Sequence, residues 1–208
     1  MIDVPIDIFL LASWLGGAAF ALSGFIVGAR KGLDIMGVFI LSFLTANGGG
    51  MIRDVFIGQT PYALTDLTGF IIVVISFFLG LFILYRKRAD IDQRELFVLS
   101  DAIGLAAFSL TGTLAGLEAE LSVFGVVVLS FITATGGGIL RDIMIGEVPA
   151  VFRSDFYGSV SILVAVILYL IDYFTVLDDL TILIVFLAAL GLRLLAFRMK
   201  WHLPRLKL

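Results

Sequence analysis

Runs of about 20 apolar residues constrain a chain more than any other feature, because each run crosses a ~30 Å hydrocarbon core as a helix with its backbone satisfied internally. Seven such runs follow one another here, near 8–28, 35–57, 66–85, 96–117, 121–145, 156–176 and 180–199. Composition points the same way. Of the 208 residues 61% are hydrophobic and 15% charged, and the mean hydropathy is +1.13, against roughly 45–50% apolar and 25% charged in soluble domains. The chain reads as an all-α integral membrane protein forming a single transmembrane domain over 1–208. The opening MIDVPID carries two acids where a signal peptide needs its positive region, so the first run is expected to stay as a span.

Basic residues fix the orientation under the positive-inside rule. Arg30 and Lys31, then Arg86, Lys87, Arg88 and Arg94, then Arg153, and finally Arg198, Lys200, Arg205 and Lys207 all fall on one side of a seven-span chain. Asp3, Asp7, Glu118, Glu120, Asp178 and Asp179 collect on the other. The N-terminus is therefore expected outside and the basic tail, 200–208, in the cytoplasm of a plasma-membrane protein.

The chain also repeats itself. At an offset of 88, without gaps, Gly16 pairs with Gly104, Phe20 with Phe108, Gly24 with Gly112 and Gly28 with Gly116. About half the positions from 16 to 61 are identical, including TANGGGMIRDVFIG at 45–58 against TATGGGILRDIMIG at 133–146, and Pro61 against Pro149. That is more than shared hydrophobicity explains. Each unit holds three spans, an odd number, so the second must enter the membrane from the opposite side. The expected organisation is repeat one over about 8–87, an inverted repeat two over about 96–176, and a seventh helix over about 180–199. Inverted repeats of this kind occur in proteins that move solutes, with the path at the repeat interface.

The doubled string places its chemistry inside the membrane. Gly48, Gly49 and Gly50, with Gly136, Gly137 and Gly138, weaken a helix by about 1 kcal/mol each relative to alanine and predict a break or sharp kink in the second and fifth spans. A break would offer carbonyls to a cation and N–H groups to an anion. Arg53 and Asp54, and Arg141 and Asp142, follow the glycines. A charge at that depth must be paired or hydrated, and cross-repeat pairs of Arg53 with Asp142 and Arg141 with Asp54 are one arrangement. Structural ion pairing and contact with a permeating species both fit these residues. Ser42, Thr45, Asn47, Ser130, Thr133 and Thr135 precede the glycines and can line a path or bond back to their own helices. Asp101 is read as capping or snorkelling at the end of the fourth span.

Several chemistries are set aside. There is no cysteine, and the lone histidine, His202, has no partner for a His/Cys zinc site. The sequence holds no P-loop, HExxH, dinucleotide fingerprint or Ser-His-Asp set, so no enzyme, cofactor, metal or nucleic-acid partner is expected.

The two TA[NT]GGGxxRDxxIG strings, with Pro61 and Pro149 behind them, resemble the prokaryotic members of the trimeric intracellular cation (TRIC) channel family, and equally the related bacterial UPF0126 membrane proteins labelled glycine transporters. The resemblance covers nearly the whole chain. It implies a homotrimer in which each protomer carries its own pore between the repeats, flanked by kinked second and fifth helices, and which passes monovalent cations, K+ or Na+ with K+ favoured. The six glycines would be the kinks and Arg53, Asp54, Arg141 and Asp142 the polar residues beside the pore. Animal members carry Lys-Glu-Val and bind phosphoinositide there. This chain has Arg53-Asp54-Val55, so only a generic membrane lipid at the trimer interface carries over. Two functions remain open on these residues, a potassium-permeable channel and a secondary transporter of a small zwitterion such as glycine.

Overall fold

The computed structural model describes residues 6–86, 93–153 and 156–201. The first five residues, Lys87 and Arg88 of the basic connection, and His202, Arg205 and Lys207 of the expected tail lie outside them. Among the described residues all regular structure is helical, in the order α1 (Ile6–Arg30), α2 (Ile35–Phe56), α3 (Tyr62–Thr65), α4 (Thr68–Arg86), α5 (Gln93–Glu118), α6 (Val123–Met144), α7 (Ala150–Arg153), α8 (Gly158–Phe174) and α9 (Asp179–Arg198). Five stretches are long and apolar enough to cross a bilayer, within α1, α2, α5, α6 and α9. The apolar parts of α4 and α8, Thr68–Leu84 and Gly158–Phe174, are shorter. Each is preceded by a single-turn helix, α3 or α7, which lies just before the expected third or sixth span.

Local chemistry sets the ends. Asp34 accepts a hydrogen bond from the Gly37 amide at 2.7 Å and Ser122 from the Gly125 amide at 3.3 Å, so α2 and α6 start on the same kind of side-chain cap. Both stop the same way. Gly58 and Gly146 take φ of 72° and 71°, and the next amides, Gln59 and Glu147, return to the Asp54 and Asp142 carbonyls at 2.8 and 2.9 Å. Such a left-handed glycine closes a helix by satisfying its last carbonyls.

Helix α1 packs on α2, α4 and α5, while α5 packs on α1, α6, α8 and α9, and α2 crosses α6. Small residues make these crossings close. A methyl group at Gly24 would lie 2.8 Å from the Leu41 carbonyl oxygen, and one at Gly112 2.8 Å from the Ser130 Cα. Between α1 and α5, the Phe20 and Phe108 rings meet with centroids 5.3 Å apart, each ring against the other helix's glycine, Gly104 or Gly16. The exposed surface is apolar on the outer faces, with Ile75 and Phe78 on α4 and Ile184 and Leu187 on α9. Such a surface is stable only in lipid, and the protein is a multi-pass membrane protein.

Of the break or sharp kink expected at the triple glycines, the break is not there. Helix α2 runs through 48–50 and α6 through 136–138 without interruption. The glycines instead let two backbones touch: a methyl at Gly49 would overlap the Thr133 carbonyl, and one at Gly137 the Thr45 carbonyl. Half-helix termini are therefore not available to a ligand at this point.

The two roles separate in a melting experiment. If the glycines served to break helices, Gly49→Ala and Gly137→Ala would stabilise by helix propensity, about 1 kcal/mol. As contact points they should each destabilise by about 1–3 kcal/mol through overpacking. Gly191→Ala, with nothing within 4 Å of an added methyl, is the reference and should not lower the unfolding temperature in detergent.

Candidate functional site

The repeated Arg-Asp strings lie in the last turns of α2 and α6, and each aspartate does two things. Asp54 Oδ1 accepts from Arg53 Nε at 2.8 Å and faces Nη2 at 2.7 Å, while Oδ2 accepts the Tyr62 amide at 2.8 Å. Asp142 Oδ1 accepts from Arg141 Nε at 2.8 Å and its Oδ2 accepts the Ala150 amide at 2.7 Å. Pro61 and Pro149 precede those amides, so the carboxylate fastens the loop after each helix onto the first turn of α3 or α7. The pairs form between neighbours in sequence. The cross-repeat pairs of Arg53 with Asp142 and Arg141 with Asp54 are not what holds these groups.

A third carboxylate joins the second pair only. Asp101, expected as a cap or snorkelling acid, is buried at 3% exposure on α5 and lies 2.8 Å from Arg141 Nη1. The same nitrogen reaches the Ser23 hydroxyl at 2.6 Å, and the guanidinium stacks 4.9 Å from the Phe97 ring centroid. Arg141 is fully buried, which is tolerable because its charge is matched by carboxylates and its Nε and Nη1 donate to them and to Ser23. At Arg53 the matching ring is Phe9, 5.3 Å away, but Asp101 has Ser13 as its counterpart 88 positions earlier. That mismatch in the self-alignment was the available signal for Asp101.

The difference opens a space. A cavity of about 450 Å³ lies beside Arg53 and Asp54, between the first half of α1, the second half of α2, the start of α4 and the last turns of α5. Ser13, Asn47, Gly50 and Gly69 line it, with Glu118 among its charged groups. Its charged side chains are two carboxylates and one guanidinium, a net negative charge. At the other pair the equivalent space is filled. Tyr157, the counterpart of Gly69, is buried with its hydroxyl against Gly138, the counterpart of Gly50, and Arg193 of α9 lies over its ring at 4.8 Å. Near the cavity, Asp66 is held below the usual carboxylate range by hydrogen bonds from the Thr68 hydroxyl and the Thr68 amide.

Of the other sequence candidates, Ser42, Thr45, Asn47, Thr133 and Thr135 bond back to the carbonyls of Val38, Leu41, Phe43, Leu129 and Phe131. Ser130 instead ties three helices, donating to the Ser109 and Ser161 carbonyls. The structure thus brings Asn47, Gly50, Arg53 and Asp54 to the cavity, and seats Gly49 and Gly137 at the crossing of α2 with α6. Gly48 and Gly136 face Leu140 and Ile52 across that crossing.

A family model described as glycine transporter matches residues 10–87 and 98–173. The UPF0126 inner membrane protein YadS of Escherichia coli K12 is 32% identical over 199 residues, covering 93% of this chain and 94% of that protein. Among solved structures, a prokaryotic TRIC channel crystallised in 0.5 M KCl superposes with a TM-score of 0.84 at 29% identity, covering 95% of this chain and all of the other. A second, solved to explain conductance through TRIC cation channels, gives a TM-score of 0.81 at 35% identity over 99% of this chain and 98% of that one.

The buried triad and the surface pair should behave differently when broken. Asp101→Ala leaves Arg141 buried with one carboxylate and should cost about 3–5 kcal/mol of stability. Lys31 and Glu147 pair across two connections with both side chains 44% exposed, so Lys31→Ala should cost no more than about 1 kcal/mol. Unfolding temperatures and monodispersity of the two purified variants, side by side, check the contrast.

Proposed function

This chain belongs to the family described as glycine transporter and is similar to the UPF0126 membrane proteins, and from these and its TRIC-channel fold we propose that it is a cation channel of the inner membrane that passes potassium. The observation that carries the reading is the cavity at Arg53 and Asp54. It holds net negative charge in a low-dielectric surround, where such a charge concentrates cations. The path runs between two inverted three-helix repeats, about 8–87 and 96–176, with the seventh helix at about 180–199 packed outside them. Seven crossings place the N-terminus outside and the basic tail in the cytoplasm. Arg53, Asp54, Arg141 and Asp142 lie along the path beside the α2–α6 crossing, with Asn47 above it. Three copies assemble into a homotrimer in which each protomer conducts K+ or Na+ by itself, with membrane lipid between subunits.

One observation favours a second reading. The cavity lies on one side of the α2–α6 crossing while its counterpart on the other side is filled by Tyr157, which is the arrangement a carrier of a small zwitterion adopts when open to one face.

Planar-bilayer recording of the purified protein in a potassium chloride gradient separates the two, with glycine uptake into liposomes from the same preparation. Discrete openings reversing near the potassium equilibrium potential are expected. Silence together with saturable glycine uptake would overturn the channel reading. Within the channel reading, Glu118→Gln and Asp54→Asn should each lower unitary conductance by roughly two-fold near 0.1 M salt. The loss should shrink at 1 M, where the screening length falls from about 10 Å to about 3 Å.

A further inference from the structure

We infer that the cavity beside Arg53 and Asp54 is a binding site for a small organic ammonium ion, entered only from the end of the bundle where α1 begins. Four aromatic rings line it, those of Phe9, Trp14, Tyr62 and Phe108. The Phe9 ring already holds a cation, the Arg53 guanidinium at 5.3 Å. Trp14 and Tyr62, which also line the cavity, are 41% and 43% exposed. Rings of this kind around a cavity are how proteins recognise alkylated ammonium groups, whose charge is spread over an apolar shell.

Charge adds to the rings. Asp54 and Glu118 outnumber Arg53 among the charged groups of the lining. A carboxylate ligand is disfavoured because the Nε and Nη2 nitrogens of Arg53 are already engaged by Asp54. A volume of about 450 Å³ suits a compact ligand, within the roughly 300–1,000 Å³ of small-molecule pockets.

The other end of the bundle keeps the rings at Phe97 and Phe20 but differs at the remaining positions. Eighty-eight positions away, Trp14 becomes Ala102, Tyr62 becomes Ala150, Glu118 becomes Arg30, and Gly69 becomes Tyr157, whose buried ring fills the space. Two rings are lost there, a carboxylate is replaced by a cation, and the volume is occupied. The binding is accordingly one-sided.

The test is calorimetric titration of tetraethylammonium chloride into the full chain in detergent, with potassium chloride at equal ionic strength as the blank. Saturable binding is expected, weakened about five-fold by Trp14→Ala and about five-fold by Glu118→Gln, in variants whose unfolding temperatures match the parent. Absence of saturable heat above the potassium blank overturns the proposal. So does binding that neither variant weakens, or saturation by glycine where tetraethylammonium gives none. Because no current is measured, a protein silent in bilayers can still pass or fail this test. In a conducting protein, tetraethylammonium should reduce current from the face at which α1 begins and leave it unchanged from the other.

Discussion

The contact on which the bundle depends is backbone against backbone, where Gly49 of α2 meets the Thr133 carbonyl of α6 and Gly137 returns the contact to Thr45. In lipid there is no hydrophobic force to draw two apolar helices together, so close approach and van der Waals contact must do it. The absence of two side chains lets α2 and α6 reach that distance. Two buried charge pairs then sit within a turn or two of the crossing, because Arg53, Asp54, Arg141 and Asp142 follow the glycines at fixed spacing. The crossing therefore determines where polar chemistry enters an apolar bundle.

Around that crossing the same local solutions appear twice. Each arginine lies beside its own aspartate and over a phenylalanine, and each aspartate anchors the amide after a proline. The surroundings then part company. One pair receives Asp101 and Tyr157 and closes; the other keeps Ser13 and Gly69 and leaves a cavity. A duplicated frame thus supplies two equivalent positions, and a few substitutions decide which one can admit a ligand. The difference between the two positions comes from the side chains around them, Asp101 and Tyr157 at one and Ser13 and Gly69 at the other.

Much of the frame could be read from the chain alone. The apolar runs located the long helices to within a few residues, and the offset of 88 located the paired arginine and aspartate strings, because periodic burial and identity leave direct marks on sequence. Asp101 was misplaced for a physical reason: an acid near a span end normally reaches water, and only the third dimension brings Arg141 to it. The role of the two aspartates in fastening α3 and α7 was also hidden, since a carboxylate accepting a main-chain amide eight residues on has no residue-type signature. The cavity was legible only as an exception, at the positions where the two halves fail to match.

The triple glycines teach a related point about environment. Glycine carries two properties that sequence cannot separate, freedom of φ and ψ and the lack of a Cβ. In water a run of three glycines exposes its backbone to solvent at little loss, so freedom dominates and helices end. In hydrocarbon each unsatisfied N–H or C=O costs several kcal/mol, while each glycine weakens the helix by only about 1 kcal/mol. The helix therefore stays intact through 48–50 and 136–138, and the missing Cβ becomes the useful property. Gly58 and Gly146, past the last turns, are where the freedom is used, at φ of 72° and 71°. The same residue type closes the helix in one place and brings two helices into contact in another, and the availability of water to the backbone decides which.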